Sequence, residues 1–164
     1  MHMATVDDLL ASYRSAALSE REKGTYFERL SAAFLLADPV QAEQYEAVWT
    51  WLEWVAGPGS TYAVANGWSG KDVGIDLVAK VRGHDDYAAI QCKFYDPQHR
   101  IAQADLAGFI AVSDKPPFHH RVVMDSTVVD WSSNAEAIVR RRSVNTLLMR
   151  FTSEDVWQMS TFGC

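Results

Sequence analysis

Residues 72–95 read DVGIDLVAKVRGHDDYAAIQCKFY, and three polar residues within this stretch decide how the chain is read. Two apolar, β-branched runs, 74–81 and 87–95, flank the polar segment Arg82-Gly83-His84-Asp85-Asp86. That is the pattern of a β-hairpin with a longer loop. Asp76 lies in the first run, Gln91 and Lys93 in the second. Side chains alternate across a strand, so Gln91 and Lys93 share one face while Ile90, Cys92 and Phe94 share the other. Burying a lysine or an aspartate without a partner is costly, so such residues sit in strands when paired, solvated or bound to a metal. An acid, an amide and a lysine therefore converge on one end of the hairpin. The bland reading is a structural Asp76–Lys93 ion pair; the other is a site for a charged ligand.

Upstream, residues 5–20 read as an amphipathic helix, with Leu10 and Tyr13 near its apolar face. Lys23-Gly24 breaks it, and a second helix over 25–37 carries Phe27, Leu30 and Phe34, with Glu28 at the edge of that stripe. Asp38-Pro39 ends the second helix, since the residue before a proline disfavours helix. A third helix is predicted over 41–56, with Tyr45, Val48, Trp49, Leu52 and Val55 at helical spacing. Trp49, Trp51 and Trp54 are expected to pack the core rather than stack bases. Residues 57–71 read as a loop approaching the site.

Downstream, the pattern predicts a helix over 101–113, a strand over 121–127, and a capping box Ser133-x-x-Glu136 opening a helix through Arg141. A fourth strand over 145–151 and a short helical or irregular tail follow. The order ααα-ββ-α-β-α-β predicts an α/β domain, a small mixed sheet with helices on both faces and an N-terminal helical segment. Residues 4–56 are expected to pack as helices on a core formed by 57–164, the whole being one structural domain cut from a larger protein. Met1-His2-Met3 reads as a cloning scar and start.

With 164 residues and 48% hydrophobic content, the chain is long enough to bury a sizeable core. Its formal net charge of -6 argues against a protein that coats nucleic acid non-specifically, but not against an acidic site that holds a metal. Cys92 and Cys164 form no metal-ligand spacing and no disulfide framework, which suits a reducing cytoplasm. His84, His99, His119 and His120 show no zinc spacing and read as surface histidines. No membrane partner is expected, because no run has the length of a span.

Gly74-Ile75-Asp76 on the first strand, Gln91-Cys92-Lys93 on the second and Gly24-Thr25-Tyr26-Phe27-Glu28 upstream resemble the PD-(D/E)XK nuclease superfamily. Within it they resemble the Mrr-like restriction endonuclease branch, which carries Gln-x-Lys in place of Glu-x-Lys. GIDLVA followed by AIQCKFYD is most similar to the N-terminal nuclease domain of type ISP restriction–modification translocases. The resemblance covers about residues 23–158. Two departures from the superfamily pattern stand out. Ile75 occupies a packing position where proline is usual, and Gln91 removes one negative ligand, which Glu28 would restore from the helix.

The resemblance implies a restriction-endonuclease-like fold and a DNA endonuclease dependent on Mg²⁺, with Mn²⁺ as a substitute. It implies Asp76, Gln91, Lys93 and Glu28 as catalytic residues. Asp76, the Cys92 backbone carbonyl and Glu28 through water would hold the metal, since Mg²⁺ takes hard oxygen ligands and few carboxylates. Lys93 would hold or deprotonate the attacking water and stabilise developing charge, while Gln91 would ligate the metal or orient the water. Asp72 reads either as a second acid at the site mouth or as a solvated turn. Asp105 reads as a complement to a helix dipole. Gln103, Lys71, Arg100, Arg140 and Arg141 are the candidate DNA contacts.

No helix-turn-helix, zinc finger or motor phosphate loop is present in the sequence. Helicase or translocase, methyltransferase and target-recognition domains are therefore expected in the parent polypeptide, with transient pairing of two nuclease domains for a double-strand break. The rival readings are a module of the same fold that binds DNA without cutting it, and a nuclease selective for nucleic-acid structure.

Overall fold

The computed structural model describes residues 6–16, 19–70, 73–140, 145–151 and 157–162. Helices α1 (Val6–Ser15), α2 (Glu20–Ala37) and α3 (Pro39–Gln44) lead into strand β1 (Tyr45–Thr50). Short helices α4 (Trp51–Ala56) and α5 (Ser60–Asn66) precede strands β2 (Leu77–Val81) and β3 (Tyr87–Lys93). Helix α6 (Gln103–Ser113), strand β4 (Phe118–Asp125), helix α7 (Ser133–Arg140) and strands β5 (Asn145–Phe151) and β6 (Trp157–Phe162) complete the order.

The sheet has six strands in sequence order. β1–β2 and β2–β3 pair antiparallel, β3–β4 and β4–β5 are parallel, and β5–β6 is antiparallel. Both parallel connections pass through a helix, α6 and α7, as parallel pairing requires. Alternation then feeds two cores. Val78, Ala89 and Val123 pack with Trp51, Trp54, Leu106, Phe109 and Val139 on one face. Leu77, Ala79, Ala88, Ile90, Val122 and Met124 pack with Leu10, Phe27 and Leu35 of α1 and α2 on the other. The expected mixed sheet with helices on both faces is present.

Several local expectations are corrected. The helix expected over 41–56 is interrupted by β1, which pairs antiparallel with β2 from Tyr45↔Val81 to Thr50↔Leu77. Its apolar residues fit a helical period, but the aromatic and β-branched segment gains more from the ladder. Thr50 then starts α4 with a complete capping box to Glu53. Part of the loop expected over 57–71 is α5, seated where Gly59 lies against the Trp54 ring, only 2.3 Å from where a Cβ would stand. Lys23-Gly24 does not break a helix; α2 runs through both, and the break falls before its N-cap Ser19. The cap of α7 is Ser132, whose hydroxyl accepts from the Ala135 N–H at 3.1 Å, in place of Ser133. The tail carries β6, so the sheet has two more strands than the four expected. Met1-His2-Met3 lies outside the described residues.

Candidate active site

Asp76 is held from three directions. Two residues before it, Gly74 has φ 98°, and a Cβ there would stand 2.8 Å from the Phe109 nitrogen and 2.9 Å from the Gly108 carbonyl carbon. Only glycine tolerates both this conformation and this approach to α6. The Asp76 N–H donates to Ile90 O at 2.9 Å, and the Asp76 carbonyl accepts from Trp51 N at 3.1 Å. With the backbone tied to β3 and α4, one carboxylate oxygen, Oδ2, accepts from Gln91 Nε2 at 2.8 Å and from the Cys92 N–H at 2.7 Å.

The Cys92 N–H and the Ile90 carbonyl both face Asp76, and a strand residue presents its N–H and C=O to the same side. The Cys92 carbonyl is thus directed to the side where Asp76 lies. The Cys92 thiol is pushed well above its usual range, first by burial, then by the Asp76 and Glu28 charges, against a Ser31 hydrogen bond and Lys93. That makes it a packed thiol, inert as a nucleophile. Asp76, Glu28 and Lys93 all act on it electrostatically.

Glu28 and Asp76 line one cleft of about 450 Å³, with Arg21, Gly24 and Thr25 of α2 and Thr50 and Trp51 at the β1–α4 junction. Lys93 is not among the described residues lining it. Its ammonium lies over the Tyr95 ring, 5.8 Å from the centroid, on the α6 side of the sheet with Gln91. The meeting of Asp76 and Gln91 predicted from the hairpin is present, and the Cys92 amide joins them.

Three residues around Lys93 were not singled out in the sequence. Asp125 is its register partner on β4 and is fully buried. Its oxygens accept from Thr127 N, Thr127 Oγ1 and Trp131 Nε1 at 2.9, 2.8 and 3.1 Å. The available signal was an acid closing the apolar run RVVM. Tyr95 donates to Asp105 Oδ1 at 3.2 Å, and its hydroxyl is pushed up to about 12 by burial first, then by Asp105, Asp125 and Asp76. Ser126 ties the two strand ends, its N–H donating to Lys93 O and its hydroxyl bonding Tyr95.

Burial would raise Asp105, but hydrogen bonds from the Ala102 N–H, Tyr95 and His99 outweigh it and hold the carboxyl below its usual range. Asp105 thus caps the first turn of α6 as expected, and also anchors Tyr95. Gln103 and Arg100 are exposed near the start of α6, away from the described cleft wall. Arg140 is the last residue of α7, and Lys71, Asp72 and Arg141 lie outside the described residues. All four of the histidines read as surface residues are exposed; His119 contacts Asp86 at 3.1 Å at the far end of the sheet. The tryptophans pack the core as expected.

The model of the Mrr catalytic family, described as restriction endonuclease, matches residues 36–159. The chain belongs to this restriction endonuclease family. Membership implies an endonuclease domain, and such enzymes in general use divalent metals. The chain is also similar to the ATP-dependent type ISP restriction–modification enzyme LlaBIII bound to DNA, with a TM-score of 0.67 and 22% identity. That match covers 95% of this chain and 9% of the other, and at this identity it shows the shared fold. No curated protein matches. The family match starts after Glu28, so the α2 wall of the cleft enters through the structure. Among the described residues no helix is long and apolar enough to cross a membrane.

Proposed function

We propose that this nuclease domain hydrolyses DNA phosphodiester bonds with Mg²⁺, with Mn²⁺ as a substitute. The observation that carries this reading is Asp76, oriented by Gln91 and the Cys92 amide and sharing a cleft with Glu28. Among the described residues no three His, Cys, Asp or Glu side chains cluster as a ligand set. Two carboxylates and a backbone carbonyl fit a hard cation that completes its shell with water and phosphate, and they do not form an all-protein cage. Asp76, the Cys92 carbonyl and, through water, Glu28 would hold it. When bound, the ion supplies charge neutralisation at the phosphate and a more acidic water.

The protein's own groups do the rest. Gln91 spends its Nε2 on Asp76, which leaves Oε1 as the acceptor that orients a water proton. Lys93, held by the β3–β4 register and Ser126, stabilises negative charge as it develops on the phosphate. With a net charge of -6 the domain neutralises few phosphates by itself. It acts as the cutter of a longer polypeptide whose other domains translocate, methylate and choose the site, and two copies pair to break both strands.

Incubating supercoiled plasmid with the chain, with and without Mg²⁺ or Mn²⁺, tests the reading. Nicked product is expected only with metal. Calorimetry should show weaker Mn²⁺ binding for Asp76→Asn and a smaller loss for Glu28→Gln. Plasmid left intact at every metal concentration would leave a DNA-binding module of the same fold.

A further inference from the structure

The continuity of α2 through Lys23-Gly24 puts residues on one surface that a broken helix would have separated. Arg21, Gly24, Thr25 and Glu28 recur at three- and four-residue steps, so they share one face of α2, and all four line the cleft that contains Asp76. Two features of this face have no structural use among the described residues. Arg21 is the second residue of the helix, between Glu20 and Glu22, where the helix dipole disfavours a cation. It is exposed, and it is the one cationic side chain among the described residues of a cleft walled by two carboxylates.

Gly24 sits inside an 18-residue helix, where glycine is less favourable than alanine. A Cβ at Gly24 would meet nothing within 4 Å among the described residues, so no contact there requires its absence. The missing side chain instead widens the wall of the cleft beside Glu28. Thr25 turns its hydroxyl inward to Arg21 O at 3.0 Å, which removes it from the open surface.

We infer that this face of α2 seats the DNA strand next to the phosphate being cut. Arg21 pairs with a backbone phosphate, and Gly24 lets the sugar-phosphate chain approach the helix closely. The inference rests on the nuclease reading of Asp76 and Glu28, and it names Arg21 and Gly24 as substrate-positioning residues. The physical need is clear: a polyanion entering between two carboxylates in an acidic domain requires a cation at the cleft, and guanidinium matches phosphate geometry.

The test measures binding of a fluorescein-labelled DNA duplex by anisotropy over a salt series, in the whole chain carrying Lys93→Ala to suppress cutting. Arg21→Gln should weaken binding several-fold and make the slope of log K against log salt shallower by about 0.9, the value for one lost phosphate contact on duplex DNA. Arg21→Lys should keep the slope. Gly24→Leu should hold or raise the melting temperature, since leucine is the better helix former, while weakening DNA binding. In chains that retain Lys93, both variants should raise KM and leave kcat nearly unchanged.

A parental slope in Arg21→Gln together with parental binding in Gly24→Leu would overturn the seat, as would undetectable DNA binding by the parent at low salt. If plasmid cutting persists alongside that result, the nuclease reading stands without the seat. If the Arg21 and Gly24 effects appear but no metal supports cutting, the seat stands and the nuclease reading falls.

Discussion

Two aspartates lie at the ends of the strands flanking β3, and they differ in how they are satisfied. Asp125, at the end of β4, is fully buried, and Thr127 and Trp131, at most six residues away, donate to both of its oxygens. It organises its own loop. Asp76, at the mouth of β2, is half-buried and takes its donors from β3, fifteen and sixteen residues along the chain. It also lines a cleft shared with Glu28. A saturated acid closed off from solvent holds structure, because nothing can reach it. An acid oriented from outside its own loop and open on a cleft is set up to meet a ligand.

The largest effects should separate these two regions. Lys93→Ala and Asp76→Asn are expected to reduce plasmid cleavage by roughly 10²–10³-fold with melting temperatures close to the parent, because they act on charge developing in the transition state. Asp125→Asn should do the reverse. It replaces one carboxylate oxygen with an N–H donor facing the Thr127 and Trp131 donors, at a cost of about 1–3 kcal/mol in urea unfolding. Loss of cutting in Asp125→Asn with unchanged stability would dissolve the distinction and make Asp125 part of the chemistry.

Gly74→Ala probes how the open acid is positioned. Its backbone would be strained and its Cβ would press on α6, so both stability and activity should fall, by about 1–3 kcal/mol in stability. Wild-type cleavage in that variant would mean Asp76 does not depend on the α6 contact.

The smallest effect is a pH dependence. Asp105 is held below its usual 3.8, so its contribution is full above that value and is lost as pH falls beneath it. Asp105→Asn should flatten the acid limb of the stability profile. Tyr95 is raised to about 12, so its contribution is full below pH 10.0 and is lost as pH rises toward 12. Tyr95→Phe should flatten the alkaline limb, and unchanged limbs in both variants would detach this pair from folding.

The hairpin, and with it the meeting of Asp76 and Gln91, was legible in the sequence because strand alternation and a short turn are local rules. The helices over 103–113 and 133–140 and the strand over 145–151 were legible for the same reason. β1 was not. Tyr45, Val48 and Trp49 satisfy a helical period as well as a strand, and the choice depends on a ladder with β2, about thirty residues away. β6 depends likewise on β5. The continuity of α2 was hidden because glycine weakens a helix locally, while burial of Phe27 and Leu35 against the sheet outweighs that cost. Asp125 reads in sequence as the end of an apolar run, and only the parallel register sets it beside Lys93.

By itself, then, the sequence determined which residues carry charge, which of them a single hairpin brings together, and the α/β class. The motif resemblance had already pointed Glu28 at the site; the tertiary structure decided which helix face closes the cleft around Asp76, and so brought Arg21 there beside Glu28. Residues linked through one turn are constrained by backbone geometry that the sequence displays. Residues brought together across the sheet are placed by burial of two apolar faces, a property of the whole chain that no short segment records.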